Sequence, residues 1–495
     1  MTTAALVAVL AAGLGIGVRA TYGGQAAVDE PQYLLTALSL SEDGDLDISD
    51  ELAAQRWRDY HDAELPVQTL ATPEGRQLSP HDPLLPVLLA VPMGLGGWVA
   101  AKLALVLLAG LTAAVTVWTA VWRFAVSPPL AGLGAAAAFG SPPLAVYGHQ
   151  VYPEMPAALA VVVAAAALTG SLRWRANIVW AAAVVALPWL GVKYVPVAAG
   201  LAAVGLATLL GRGRRASAAA LAGGLAMAGA AYLVVHRVVW GGWTVYASGD
   251  HFASTGEFSV IGTDPDLVGR SLRLVALLAD RAYGLVPWQP AWLLAVPALV
   301  ALMVARPRHW AVLAVPVAAA WATATWVALT MHGFWWPGRQ VVVVLPLLLL
   351  AVLWWLRSCV SALAPRLLPY AAVPAALGVV ALAALLVDGW AGEVTWVAHF
   401  TGVDDPIYQA LRVVSPDYAS PGPGFWVLHA GWVALLVALA VAGGSMARRA
   451  RPYAARGTLA AGPTRLPAPV GALTRAPAPL ATGVGTTEAT KGSPR

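Results

Sequence analysis

Long runs of apolar residues, separated by short polar segments, occupy most of this 495-residue chain. Runs of about 20 apolar residues can cross the roughly 30 Å hydrocarbon layer of a bilayer. The pattern predicts an all-α polytopic membrane protein with about twelve transmembrane helices and extracytoplasmic loops. We place the helices at residues 4–19, 98–122, 129–147, 155–171, 177–190, 193–210, 216–236, 284–305, 309–330, 339–357, 367–387 and 425–445. The first is expected to be retained, because it lacks the charged start and small-residue cleavage site of a signal peptide.

Three longer polar segments, at about 20–97, 237–283 and 388–424, interrupt this pattern. Within the first, residues 83–95 are apolar but short and contain Pro86 and Pro92, which favours a re-entrant or juxtamembrane helix. We divide the chain into a first membrane region (1–350), further membrane helices (351–447) and a tail (448–495). The tail is rich in Pro, Ala, Gly and Thr and is predicted to be disordered and cytoplasmic.

Composition supports a membrane protein and argues against a nucleic-acid partner. Charged residues are 11% of the chain, against roughly 25% in soluble domains. The net charge of +5 comes from basic residues in short loops and the tail, which suits membrane orientation rather than nucleic-acid binding.

The distribution of arginine predicts the topology. With a cytoplasmic N-terminus, the cytoplasmic loops and tail contain no carboxylate except Glu488. This positive-inside pattern predicts a multi-pass plasma-membrane protein with both termini cytoplasmic. The arginines on that side are Arg123, Arg173, Arg175, Arg212, Arg214, Arg215, Arg306, Arg308, Arg357, Arg366, Arg448, Arg449 and Arg451.

Carboxylates concentrate in the first extracytoplasmic segment. Thirteen of the 25 lie between Asp29 and Asp82, and the pair Asp29-Glu30 follows the first helix closely. An ionised carboxylate at the membrane edge must be solvated, paired or cation-bound. It could deprotonate an acceptor in a transfer reaction. A solvated loop charge, or an N-cap for a helix at 32–40, is the structural alternative.

A second motif, His81-Asp82-Pro83-Leu84, begins the short apolar segment. His81 and Asp82 could bind a metal or a metal-phosphate pair, and a turn followed by a helix cap is the alternative. The histidines show no spacing typical of a zinc site.

Three cations stand at the predicted outer ends of separate helices: Lys102, Lys193 and Arg339. Together they predict a phosphate-binding pocket, because lysine and arginine match phosphate in charge and geometry. Taken singly, each could be an interfacial anchor. Glu154, in the motif Tyr152-Pro153-Glu154, is a candidate second acidic group opposite Asp29.

The order of these motifs resembles the GT-C superfamily of membrane glycosyltransferases, which includes protein O-mannosyltransferases and lipid A aminoarabinose transferases. An uncharacterised bacterial branch looks nearest, on the runs VDEPQYLL at 28–35 and DGDLD at 43–47. The similarity covers about residues 1–350. It implies that Asp29 is the general base or orients the acceptor, with Glu30 as its partner. Lys102 would meet the donor phosphate, and His81 would lie beside the donor. Asp82 departs from the usual small residue or proline and could be a metal ligand.

The resemblance implies a hexosyl- or pentosyltransferase that takes a sugar from a polyprenyl-phosphate donor. The acceptor would be an envelope glycan, lipid or protein on the extracytoplasmic side, and the cofactor, if any, Mg²⁺ or Mn²⁺. A secondary transporter or lipid flippase is the competing hypothesis, although no repeat of broken helices is apparent. A non-catalytic scaffold is the third.

Overall fold

The computed structural model describes residues 1–65, 68–72, 75–244, 265–397 and 400–460. The chain separates into two units, Met1–Pro452 and Tyr453–Arg495, and the first contains every candidate site residue. The predicted disorder of the tail beyond residue 460, and much of the segment 237–283, lie outside the described residues.

Helices make up nearly all the regular structure of the described residues. In the first long segment, strands β1 (Leu70–Ala71) and β2 (Gln77–Leu78) form a two-stranded antiparallel ribbon in which Leu70 pairs with Leu78. The helices are α1 Thr2–Gly15, α2 Glu30–Glu42, α3 Ser49–Ala53, α4 Leu84–Phe124, α5 Pro128–Phe139, α6 Leu144–Tyr147, α7 Glu154–Leu168, α8 Trp174–Leu190, α9 Val195–Gly211, α10 Arg215–Val239, α11 Leu267–Arg270, α12 Arg273–Ala279, α13 Leu285–Trp288, α14 Ala295–Ala305, α15 Trp310–Ala322, α16 Leu345–Trp355, α17 Ser361–Leu363, α18 Ala372–Ala391, α19 Pro406–Val414 and α20 Phe425–Ala460.

Each of the twelve predicted membrane helices has an apolar helical counterpart. Among the described residues, seven helical stretches are long and apolar enough to cross a membrane. Five others have 10–17 residues, so twelve spans as a number stays a prediction. The seven are Leu84–Phe124, Val192–Gly211, Arg215–Val239, Trp310–Val327, Val342–Leu363, Pro365–Ala391 and Phe425–Ala450.

The short apolar segment at 83–95 is helical and joins α4 through a break. Gly96 (φ −155°, ψ 23°) and Gly97 (φ 63°, ψ −158°) leave helical geometry. Because Gly97 is in the left-handed region, where a side chain is disfavoured, the two parts of α4 can differ in direction at this point.

Three predicted helix bounds were wrong. The helix expected at 129–147 ends at Phe139 and resumes as α6, and that expected at 284–305 is interrupted at Gln289. The helix expected from Arg339 begins later. A 3₁₀ segment, Val342–Val344, comes first, and α16 follows from Leu345. Arg339 therefore lies in the turn that precedes the helix, which frees its side chain from the helix surface.

Close packing of small residues forms the core. Every residue of α16 is buried, and α7 contributes alanines such as Ala164 and Ala165. A Cβ on Gly134 would lie 2.7 Å from the Leu353 side chain, so α5 and α16 touch at a glycine. In lipid, where neighbouring helices gain little from apolar burial alone, such contact is the main source of association.

Three of the predicted cytoplasmic arginines lie at one end of the bundle. Arg123, Arg212 and Arg357 donate to backbone carbonyls at or near the C-terminal ends of α7 and α4. Cations are favourable there because the helix dipole ends in unpaired carbonyls. The membrane side on which this end lies remains a prediction.

Candidate active site

Arg339 is the centre of the polar cluster. Its Nη2 donates to Asp29 Oδ2 at 2.8 Å, and its Nε donates to Glu154 Oε1 at 2.9 Å. The guanidinium also lies over the ring of Tyr152, 4.3 Å from the centroid, and near Trp335 at 5.1 Å. Two carboxylates and two aromatic faces therefore fix one arginine, which has the planar shape and donors for such a role.

Glu154 is shared by a second cation. Lys193 Nζ lies 2.6 Å from Glu154 Oε1, the oxygen that also accepts from Arg339. Glu154 is fully buried, whereas the Lys193 side chain is 24% exposed. Because Glu154 is the first residue of α7 and Lys193 lies in the 3₁₀ turn Val192–Tyr194 between α8 and α9, the pair joins three helix ends.

Asp29 occupies the N-cap position of α2, but its side chain makes no capping hydrogen bond. The carboxylate instead pairs with Arg339 and is 18% exposed. The simple N-cap alternative is therefore wrong. The preceding residue, Val28, has φ 57°, which is a strained conformation for a β-branched residue. The backbone conformation is thus unfavourable at the residue that precedes Asp29.

His81 completes the lining. Its ring stacks on Tyr33, with centroids 4.5 Å apart and planes 19° from parallel. Its buried Nε2 has no hydrogen-bond partner among the described residues. A cavity of about 30 Å³ is bounded by Asp29, Tyr33, Pro80, His81, Asp82, Pro153, Leu190, Gly191, Lys193 and Arg339. Since one water needs roughly 10–15 Å³ measured in this way, the cavity as it stands holds a few waters at most.

The electrostatics of this cavity keep Asp29 charged. Burial alone would raise the pKa of Asp29, but the surrounding positive groups, with Arg339 first among them, together outweigh burial and lower that pKa below its ordinary value. Burial lowers the pKa of His81, so its neutral form is favoured. The site therefore pairs an ionised carboxylate with a neutral imidazole at neutral pH.

Asp82 is not placed as a free metal ligand. Its Oδ1 accepts from the Tyr232 hydroxyl at 2.8 Å and lies 3.0 Å from His236 Nε2. Its Oδ2 accepts from the Val192 backbone N–H at 3.0 Å. Three polar contacts already engage Asp82, and in the described part of the chain it belongs to no group of three or more side chains that could hold a metal ion.

Lys102 and Glu30 form a separate buried pair. Lys102 Nζ lies 3.7 Å from Glu30 Oε1 and donates to the Gln25 carbonyl at 2.6 Å. Glu30 also accepts from the Val151 and Ala27 backbone N–H groups, at 2.8 and 3.0 Å. Neither Lys102 nor Glu30 lines the cavity, so the expected common pocket of Lys102, Lys193 and Arg339 is corrected to Lys193 and Arg339. Lys102 lies on the face of α4 that is turned toward Glu30.

The loop that carries Arg339 is anchored by aromatic residues. The Tyr147 hydroxyl donates to the Trp336 carbonyl at 2.6 Å. The ring of Trp336 packs on Trp288, Trp396 and Phe400, with centroids 4.9–5.4 Å apart. Such contacts, each worth on the order of 0.5–1.5 kcal/mol, hold the turn in place.

Sequence reasoning found Asp29, His81, Glu154, Lys193 and Arg339 but missed their aromatic partners. Tyr33, Tyr152 and Trp335 were not singled out, although each lies within four residues of a named charge. The aromatic partners could have been found from their closeness in sequence to the candidate charges.

Comparison with known proteins yields structural neighbours only. The chain matches no family model and no curated protein. It is similar to ArnT from Cupriavidus metallidurans bound to undecaprenyl phosphate, with 16% identity over 88% of this chain and 76% of that chain and a TM-score of 0.47. The apo structure gives 19% identity over 89% and 74%, with a TM-score of 0.46. At these scores the likeness assigns no activity.

Proposed function

We propose that this protein is a membrane glycosyltransferase that moves a sugar from a polyprenyl-phosphate donor to an extracytoplasmic acceptor. The observation that carries the proposal is the convergence of Asp29, Glu154, Lys193 and Arg339 in one buried cluster. Buried charges in a membrane protein are costly and mark functional sites. A base beside two phosphate-matching cations is what such a transfer requires.

In the proposed reaction, an acceptor hydroxyl or amine attacks the anomeric carbon of the donor sugar. Asp29 takes the acceptor proton as the new bond forms. The bond between the anomeric carbon and the phosphate oxygen breaks, and polyprenyl phosphate leaves with the electron pair. Lys193 and Arg339 stabilise the charge that develops on it. Attack from the face opposite the phosphate inverts the configuration at the anomeric carbon.

The donor phosphate would activate Asp29 as it binds. Arg339 now lowers the pKa of Asp29, which makes the carboxylate a weak base. A phosphate that draws the guanidinium toward itself weakens this pairing, so the pKa of Asp29 rises toward its ordinary value. Asp29 would thus become a stronger base when the donor is bound. The hydrogen bond to Glu154 would keep the Arg339 side chain in position.

An apolar cavity of about 410 Å³ supports a lipid donor. It lies between α8, α9 and α10, and its lining includes Trp189, Val192 and Tyr232. Val192 adjoins Lys193, and both Val192 and Tyr232 hydrogen-bond to Asp82, which lines the polar cavity. The isoprenoid units next to the phosphate would occupy the apolar space, with the phosphate facing Lys193. The polar cavity must widen to admit the sugar.

The test is sugar transfer in membranes that contain the protein, from a panel of radiolabelled polyprenyl-phosphate sugars to envelope extract. We expect transfer by wild type and a loss of roughly 10²–10⁴-fold in the Asp29→Asn variant, the usual range for a positioned base. Asp62→Asn is the matched control, because Asp62 is exposed in the same segment and lies outside the cluster. Equal transfer by all three proteins, or none by correctly inserted wild type, contradicts the proposal.

A further inference from the structure

A second group of carboxylates lies at the opposite end of α2. Asp43 follows the last residue of α2, and Asp50 and Glu51 begin α3. One carboxylate oxygen from each residue lies within 4.8 Å of the others. Three negative charges this close repel one another strongly unless a proton or cation intervenes.

Glu51 is the member that makes this cluster unusual. It is 2% exposed, whereas Asp43 and Asp50 are exposed. Neither carboxylate oxygen of Glu51 has a hydrogen-bond partner among the described residues. A buried carboxylate without a partner is costly, and this one is aimed at two further carboxylates. Burial, with Asp50 and Asp43, raises the pKa of Glu51 to about 7.

Arg56 makes its ion pair with a carboxylate outside this cluster. Arg56 forms a bidentate pair with Glu42, at 2.9 and 2.8 Å. The other acidic residues of the segment are engaged elsewhere, since Asp45 accepts from Ser39 and Asp47 accepts from the Gln77 backbone N–H. In the described part of the chain no ion pair reaches Asp43, Asp50 or Glu51. The C-terminal end of α2 adds its negative dipole at Asp43, whereas Asp50 and Glu51 lie in the first turn of α3.

We propose that Asp43, Asp50 and Glu51 bind one Ca²⁺ ion. Calcium takes six to eight oxygen ligands in flexible geometry and accepts carboxylates, water and carbonyls together. One buried and two exposed carboxylates suit this mixture, because the exposed side leaves room for water. Magnesium fits less well, since it demands near-ideal octahedral geometry and keeps most of its waters.

The position assigns the ion a structural role. Helix α2 has 13 residues, so its two ends are about 20 Å apart. Asp29 stands at one end and the calcium site at the other. The ion would tie the end of α2 to the start of α3 and so fix the helix that presents Asp29. This inference stands whether or not the protein is a glycosyltransferase.

The experiment measures calcium binding to the purified full-length protein in detergent by titration calorimetry after removal of divalent ions. Wild type should bind one Ca²⁺ with a Kd on the order of 10⁻⁴–10⁻³ M, the range of extracellular modules. Glu51→Gln should weaken binding at least ten-fold, and Asp62→Asn should bind as wild type. Unsaturable binding by wild type, or wild-type affinity in Glu51→Gln, overturns the proposal.

Thermal unfolding separates lost binding from lost folding. In EGTA, Glu51→Gln should unfold at or above the wild-type temperature, because it removes an unpaired buried charge. Calcium should raise the unfolding temperature of wild type and Asp62→Asn but leave Glu51→Gln unchanged. A calcium-induced rise in Glu51→Gln that equals that of wild type would assign the ion to another site and refute this one.

Discussion

Arg339 uses different nitrogens for its two carboxylates, Nη2 for Asp29 and Nε for Glu154. A lysine offers one compact charge and cannot reproduce this fork. We expect Arg339→Lys to lower kcat/KM for sugar transfer roughly 10²-fold or more, the scale of losing a charge-stabilising donor. Steady-state kinetics in membranes measure this. Arg281→Lys is the control, because Arg281 pairs with half-exposed Asp417 at 3.7 Å; an equal loss there would deny Arg339 a special role.

The pairing of Asp29 with Arg339 also sets the pH dependence. A carboxylate whose pKa is lowered in the folded protein stays ionised as pH falls, until that lowered pKa is reached. Wild-type kcat/KM should therefore hold down to mildly acidic pH. In Arg339→Gln the pKa of Asp29 rises, so the acid limb of the residual activity should move to higher pH. Profiles of both proteins between pH 4 and pH 8, roughly the span that brackets a shifted carboxyl, measure it; coincident limbs would exclude Asp29 as the titrating base.

Single charged residues were predictable, but their pairing was not. The sequence pointed to four carboxylates and three cations near one membrane face. Two of the carboxylates, Asp29 and Glu154, meet two of the cations, Lys193 and Arg339, in the cluster. Lys102 does not, because the depth of a residue along a helix is readable from the sequence whereas the direction of its side chain depends on packing. With Glu30 adjacent to Asp29, both carboxylates needed a counter-charge, and the fold gave each a different one.

At the scale of elements, α10 buries few of its side chains. Only Ala218, Tyr232 and His236 of this helix are buried, and the last two contact Asp82. Because Asp82 also binds the Val192 N–H, α10 helps to fix the turn that carries Lys193.

Removing one hydroxyl tests this attachment. Tyr232→Phe should lower the free energy of unfolding by about 1–3 kcal/mol, the cost of losing a hydrogen bond to a charged group, and should also raise the KM for donor. Thermal unfolding and transfer kinetics measure the two effects. Tyr370→Phe is the control because Tyr370 is largely exposed. If both variants match wild type, the Tyr232 hydroxyl does not help to hold Asp82.

Two broken helices show what the apolar pattern could not reveal. The interruption after Phe139 and the one at Gln289 face each other, with Gln289 Nε2 donating to Ser141 Oγ at 2.6 Å. Each side chain also bonds backbone at its own break, since Ser141 Oγ donates to the Ala137 carbonyl and Gln289 Oε1 accepts from the Ala291 N–H, as irregular backbone in a membrane requires. A window of sequence contains only one half of such an arrangement, so both segments resembled continuous helices.

At the scale of the whole molecule, sidedness remains to be measured. Cys359 is the one cysteine of the chain and is buried, so Cys359→Ser provides a background for labelling. In that background Glu64→Cys should react with a membrane-impermeant maleimide in intact cells. Arg308→Cys should react only after the membrane is permeabilised. The reverse pattern would invert the predicted topology and move the candidate site to the cytoplasmic face.

The internal neutrality of the cluster has a kinetic consequence. Asp29 and Glu154 already balance Lys193 and Arg339, so the empty site projects little net field toward an approaching phosphate. Long-range steering, which quickens many encounters between charged partners and fades with added salt, would contribute little here. On this proposal, the donor phosphate binds by replacing an existing ion pair at short range. The rate of binding would then be set by the opening of ion pairs and would depend little on ionic strength. A donor delivered by diffusion in the plane of the bilayer has no need to be attracted from afar.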